Sequence, residues 1–501
     1  MKSKITLDGH SLTLEAANTI AYGGTVSISP KVTGRIKHAR KIVDKIADGE
    51  KAVYGVNTGF GFLANKQIPK PELRDLQENI LTSHAAGYGA PFSIPETRLA
   101  LVLRLNSLIK GLSGARLELC QQILKLVEAE IYPIVPEYGS LGASGDLIPL
   151  AHLGLPLIGL GPVRFKGKVM QARAALKQAK IEPLELAPKE GLSFVNGTEM
   201  MQSVGALALY SAHKIAALAD LVTALSFEAM EALLSPLAPF IHSARGQRGQ
   251  IKSAKAIRSA LKGSYLQAKS RTHKRVQDPY SLRCSPQIHG PTHDALEFAK
   301  GVVEREINGV TDNPLVNSKT ADVVSGGNFH GQALAMVYDF ACIACAELAS
   351  VSERRLELMC NPHTSNLPPF LSENAGTDSG YMALQYLSGS LVNENRILAH
   401  PACIDSIPGN VGIEDHVSMG MTAARKLKKV VDNAKVALAI EALAACQAID
   451  LRGQSKLGKG TALLYRAIRK RIPMLKRDRF LQPEIDLAVS VIEDELLKLD
   501  A

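Results

Sequence analysis

Cysteine is scarce and poorly arranged for cross-linking. The 501-residue chain has seven, an odd number, scattered from Cys120 to Cys446. A disulfide framework would be denser and even in count, so the pattern points to a reducing compartment. No uncharged apolar run is long enough to span a bilayer. The opening Met1-Lys2-Ser3-Lys4-Ile5-Thr6-Leu7-Asp8-Gly9 has no apolar core and no cleavage site, so no signal peptide is expected. The expectation is a cytoplasmic protein with no membrane partner. No internal repeat or low-complexity tract is present. Cys342-Ile343-Ala344-Cys345 has no second pair at a suitable spacing, which argues against zinc and for buried helix cysteines. No metal is expected.

The net charge of +10 raises the question of an anionic partner. Arg245 to Arg275 and Lys456 to Arg479 are strongly basic but lack interleaved aromatics and match no nucleic-acid module. Solvated faces explain them better, and a basic helical nucleic-acid-binding protein is kept as the non-enzyme alternative. Gly453 to Gly460 nearly matches a phosphate-binding loop, but Gly460 stands where Ser or Thr should follow Lys459. It reads as a turn that ends a helix.

A hydrophobic share of 46% and a charged share of 21% suit a globular chain with a large core. Ile5-Thr6-Leu7 and Leu12-Thr13-Leu14 around Asp8-Gly9 predict a small N-terminal hairpin. The rest is mainly helical. Met200 to Ser235, Met336 to Met359 and Val417 to Arg452 are long and nearly free of breakers, which predicts an elongated long-helix bundle. A boundary near residue 200 would separate an N-terminal domain, 1–200, from the bundle, 201–501. Gly and Pro cluster at Gly55 to Gly61, Pro133 to Gly145, Asp278 to Gly290, Gly326 to Gly331 and Pro408 to Gly412. Loops on a rigid scaffold are where chemistry is expected.

The most specific stretch is Tyr138-Gly139-Ser140-Leu141-Gly142-Ala143-Ser144-Gly145-Asp146-Leu147-Ile148-Pro149-Leu150-Ala151-His152. Ala-Ser-Gly alone is common and reads as a turn before a helix. The longer string resembles the signature of the aromatic amino-acid ammonia-lyases, the family of histidine, phenylalanine and tyrosine ammonia-lyases. Other segments are similar in family order: Val53 to Gly61, Ser83 to Gly87, Asn196-Gly197-Thr198, Val276 to Cys284, Asp312 to Leu315, Gly326 to Gly331 and Glu414 to Met419.

The resemblance implies a mainly α, fumarase/aspartase-like long-helix fold and a homotetramer whose sites combine loops from several subunits. It also implies a cofactor made by the chain itself, 4-methylidene-imidazol-5-one from Ala143, Ser144 and Gly145, with no metal and no diffusible cofactor. The residue types suit that cyclisation. Gly145 leaves its nitrogen unobstructed, Ala143 is small, Ser144 has a hydroxyl to lose, and Asp146 can move protons. Elimination of ammonia needs an electrophile, a base for the β-hydrogen and a cation for the carboxylate. Arg283 is the choice for the carboxylate. Tyr54 is the base, with Tyr280 able to share the role, and a site with positive or electrophilic neighbours could lower the phenol's pKa. The resemblance further implies that Asn196 bonds the cofactor's carbonyl oxygen, Phe329 packs beside its ring and Gln277 positions substrate or cofactor.

Ser83-His84 looks like the family's histidine-selective version. His84 and Glu414 could bond an imidazole together, because unpaired ring nitrogens cost free energy. The product would be trans-urocanate. Ile413 and Glu199 depart from the pattern, since Gln is usual at both places. Tyrosine or phenylalanine elimination, giving coumarate or cinnamate, and a 2,3-aminomutase with the same cofactor are the alternatives.

Overall fold

The computed structural model describes residues 4–268 and 276–498, the side chains of 495–498 excepted. The basic stretch expected from Arg245 to Arg275 therefore lies in part, from 269, outside the described residues. The chain forms two compact units. The first comprises Met1–Tyr210, Lys300–Asp339 and Pro401–Arg425, and the second comprises Ser211–Ala299, Phe340–His400 and Lys426–Ala501. The first unit thus runs past residue 200 and is rejoined by two later segments.

The N-terminal hairpin does not form. Lys4–Leu7 pairs in parallel with Thr25–Ile28, and the residues between them hold the helix Leu14–Ala21. Local chemistry explains this. The Asp8 carboxylate accepts from the backbone N–H groups of His10 and Ser11, which sets a side-chain turn. Thr13 then caps the helix by accepting from Ala16 N. Short alternation suits a strand and a helix start equally, and the cap decides.

The three long helices are Glu199–Ala229, Gln332–Cys360 and Gly420–Leu451. The first stops short of Ser235 because Glu231 turns left-handed and Ala232 N reaches back to Phe227 O. Gly453 ends the third in the same manner, with Gln454 N on Ile449 O, so the near-match to a phosphate loop is a helix-ending turn. The third begins at Gly420 instead of Val417, since Met419 is left-handed, with its N–H on Leu141 O at 3.0 Å. Glu199–Ala229 and Gln332–Cys360 are long and apolar enough to cross a membrane by composition, yet two thirds of each apolar stretch is buried within the protein. Cys342 and Cys345 lie buried in the second of these helices. Asp278 to Gly290, read as loop, is mostly helical: Tyr280–Arg283 and then Ser285–Glu306. Pro286 sits in the first turn of that helix, where its missing N–H costs nothing.

Within the second unit, Arg355 and Glu441 are fully buried and paired, with Nη2 to Oε2 at 2.9 Å, and Ser226 Oγ donates to Glu441. These contacts join the three long helices by charge-assisted bonds in a dry interior.

Candidate active site

The segment Gly142–Gly145 folds back on itself, with Gly142 bridged to Gly145 and Gly145 bridged to Gly197. Gly142, Ser144 and Gly145 have φ of 77°, 50° and 79°. Only glycine is relaxed there, so Ser144 is held in a strained backbone by its surroundings. A Cβ on Gly145 would lie 2.0 Å from Gly197 O, so the close approach of the two segments demands glycine. Ser140 Oγ braces the turn, accepting from Gly142 N and donating to Asp146 Oδ1 at 2.8 Å.

Asp146 is buried, and its other oxygen accepts from Met201 N at 2.7 Å, in the first turn of the helix Glu199–Ala229. Burial pushes this carboxyl up to about 7, against the lowering effect of Met201 N and Ser140 and with help from the charge of Glu199. It exchanges a proton near neutrality, which suits a group beside a backbone cyclisation.

Ser144 opens onto a cavity of about 550 Å³ within the first unit. Tyr54, Ser83, His84, Asn196 and Glu414 share its wall with apolar Ile68, Leu76, Ile80 and Leu192. Ser144 Oγ donates to Glu414 Oε1 at 2.8 Å. His84 ends the helix Leu73–His84, its Nδ1 3.0 Å from Ser83 Oγ. Asn196 Nδ2 donates to Asn313 O at 3.0 Å, while Oδ1 is buried without a partner. A strained glycine-lined turn, a serine hydroxyl facing the cavity and an Asn196 Nδ2 that gives one of its two hydrogens to Asn313 O fit a ring formed from Ala143, Ser144 and Gly145.

Tyr54 stands on the same cavity wall. Its hydroxyl accepts from Gly61 N at 3.4 Å. Burial raises its pKa, the Gly61 bond opposes, and the charges of Glu414 and Asp312 raise it further. Lys66 and His84 share the cavity wall with Tyr54, but the charges that act on its phenol are those of Glu414 and Asp312.

Glu199, the departure from the family's usual Gln, is accommodated by a charge. Arg104 Nη1 donates to Glu199 Oε1 at 2.7 Å and to Asn196 O at 3.2 Å, and Thr311 Oγ1 also donates to Glu199. Both members of the pair are buried. Ile413 is exposed, at 61%, and does not line the cavity.

The remaining expected residues lie elsewhere. Phe329 is half-buried and is not on the cavity wall. Its neighbour His330 stacks on His416 at 5.7 Å and bonds its backbone oxygen. Gln277, Tyr280 and Arg283 belong to the second unit and do not line the cavity. There, Arg283 lies 4.8 Å over the Tyr280 ring and Tyr280 is 68% exposed. Sequence reasoning missed Arg104, Lys66, Asn79 and Asn410. Asn410, on the cavity wall with Lys66 and Asn79, sits in a loop marked by its Gly and Pro content, so its neighbourhood was signalled, but nothing in the spacing marks the others.

The chain resembles known proteins along nearly its whole length. The aromatic amino acid lyase family model matches residues 12–470. A histidine ammonia-lyase of Anaeromyxobacter sp. strain K is 47% identical over 99% of each chain. The crystal structure of histidine ammonia-lyase from Trypanosoma cruzi superposes with a TM-score of 0.92 at 40% identity, covering 99% of this chain and 94% of that one. Tyrosine aminomutase from Streptomyces globisporus superposes at 0.94 with 35% identity, covering 99% and 98%. Fold and site together define a carbon–nitrogen lyase of the ammonia-eliminating class. The chain belongs to the aromatic amino acid lyase family, as its motifs implied.

Proposed function

We propose that this enzyme eliminates ammonia from L-histidine to give trans-urocanate. The observation that carries the reading is the meeting of Ser144, Glu414 and His84 on one cavity. The names of relatives at 45–47% identity support the same substrate. The cofactor would be the 4-methylidene-imidazol-5-one of Ala143, Ser144 and Gly145, which supplies an electrophilic methylidene that engages the substrate and makes ammonia a better leaving group. Asn196 would hold its carbonyl oxygen through an amide N–H.

His84 and Glu414 orient the imidazole, one as a ring partner and one as an acceptor. The apolar wall excludes water, which strengthens both bonds. Tyr54 takes the β-proton at its hydroxyl oxygen. Its phenol is held up first by burial and then by the charges of Glu414 and Asp312, so a cation beside it would bring it toward ionisation. Arg283 is that cation and the carboxylate clamp, delivered with Gln277 and Tyr280 from a neighbouring subunit of a homotetramer. Its guanidinium binds a carboxylate by paired donors. Phe329 packs beside the cofactor ring in the same assembly. The seven cysteines form no disulfide, which supports a cytoplasmic setting.

Parallel assays of histidine, tyrosine and phenylalanine test the proposal, with α,β-unsaturated acids and β-amino acids both quantified. Urocanate should dominate. Preferred formation of coumarate or cinnamate would transfer the enzyme to those substrates, and β-amino acid products would make it an aminomutase.

A further inference from the structure

We propose that Glu414 acts before any substrate arrives, as the proton carrier for the dehydration of Ser144 that completes the cofactor. The inference rests on the reading that Ala143, Ser144 and Gly145 cyclise. A serine hydroxyl leaves poorly unless it is protonated as it departs. The group that holds Ser144 Oγ is Glu414 Oε1, at 2.8 Å. Asp146 is the obvious rival, being next to the ring-closing glycine, but its oxygens are committed to Ser140 Oγ and Met201 N. Those bonds fix the turn and leave the hydroxyl to Glu414.

The backbone delivers Glu414 to this task. Gly409 bridges to Glu414, with Gly409 N on Glu414 O at 2.9 Å. Between them Asn410, Val411 and Gly412 all have positive φ, at 48°, 55° and 84°. Two of these are not glycine, so the tight turn is maintained at a conformational cost. The turn puts a carboxyl on the same cavity wall as Ser144.

The step balances without an added reactant. The Cβ–Oγ and Cα–H bonds of Ser144 break, the Cα–Cβ double bond forms and one water leaves. Glu414, the acceptor of the Ser144 hydroxyl, takes the Cα proton as a carboxylate and passes a proton to Oγ as that oxygen leaves, so it ends as the carboxylate it began. Loss of the hydroxyl then removes the donor that occupies Glu414. The carboxylate becomes an acceptor for a substrate N–H. One side chain thus serves ripening first and recognition afterwards, and recognition becomes possible only when ripening is complete.

The test follows intact and peptide mass during folding, for wild type, Glu414→Gln, Glu414→Ala and His84→Leu. Wild type should lose the mass of two waters from the peptide holding Ala143 to Gly145. Both Glu414 variants should ripen about a hundredfold more slowly, the usual worth of a positioned acid or base, and should accumulate protein that has lost one water or none. Glu414→Gln keeps the shape of the side chain and guards against a folding defect, checked by helix content and melting. His84→Leu should ripen at the wild-type rate while losing histidine turnover. Two-water loss at the wild-type rate in both Glu414 variants overturns the inference, as does equally slow ripening of His84→Leu. A wild-type protein of unaltered mass overturns the cofactor reading itself.

Discussion

Two buried aspartates, one in each unit, carry the same side chain at the same depth and sit at opposite ends of the titration scale. Asp146 is 0% exposed and Asp220 is 1% exposed. Burial pushes Asp146 up to about 7 against the backbone N–H groups of Met201 and Met200 and the Ser140 hydroxyl. Asp220 accepts from His289 Nδ1 at 2.9 Å, His293 Nε2 at 3.0 Å and Ser253 Oγ. Burial opposes its charge too, but the two histidines overcome it and hold the carboxyl well below its ordinary range. The kind of partner, histidine against backbone N–H and hydroxyl, and not depth, separates the two carboxyls. In the second unit Asp220 and Glu441 each have several neutralising partners, as in the first unit Glu199 has Arg104 and Thr311. Asp146, beside Ser144, has no cation among its bonded partners.

The largest expected effect breaks the catalytic side. Ser144→Ala removes the hydroxyl that must leave, and histidine turnover should fall by more than roughly a thousandfold, over about 4 kcal/mol of barrier. Melting should be little changed, since Ser144 lies on a cavity wall. The structural side breaks differently. Arg355→Ala leaves Glu441 buried without its main partner and should cost roughly 3–5 kcal/mol in denaturant unfolding. Replacing both by apolar residues of similar volume should cost much less, and equal losses would refute the account of that pair.

The aspartates themselves separate by pH. The folded pKa of Asp146 lies above its unfolded value of 3.8, so its contribution is complete below about 4 and is lost as pH rises through about 7. At about 1.4 kcal/mol per unit, the full swing is at most about 4.5 kcal/mol. Asp220 runs the other way, with stability present above about 4 and lost as pH falls below it. Asp146→Asn should therefore flatten the decline in stability between pH 4 and 7, and an unchanged profile would count against a neutral Asp146. The smallest effect sharpens specificity. His84→Leu should lower histidine turnover roughly tenfold to a hundredfold, as one buried hydrogen bond is worth about 1–3 kcal/mol. Preference should move toward tyrosine or phenylalanine. Intact histidine turnover would make His84 a packing residue.

The contrast also explains what was legible in the sequence. The turn at Gly142–Gly145 was, because glycine and a small residue are required at fixed neighbouring positions where the backbone of Gly197 presses close. Tyr54, His84, Asn196 and Glu414 sat in motifs, and the fold brings them to one cavity. Arg104 was not legible. It is one of several buried residues in the helix Ile94–Leu108, and its bond to Glu199 spans 95 positions. The direction of the Tyr54 shift was not legible, because it depends on burial and on which charges surround the phenol, and spacing reports neither. At the N-terminus, Leu12-Thr13-Leu14 looked like a strand because a capping threonine and a strand threonine are the same letter.

The most direct test of the central claim, that this chain builds its own electrophile, is the mass of the peptide containing Ala143, Ser144 and Gly145 from active wild-type protein. The account predicts a deficit of two waters confined to that peptide, and a peptide of full mass in active enzyme would contradict it.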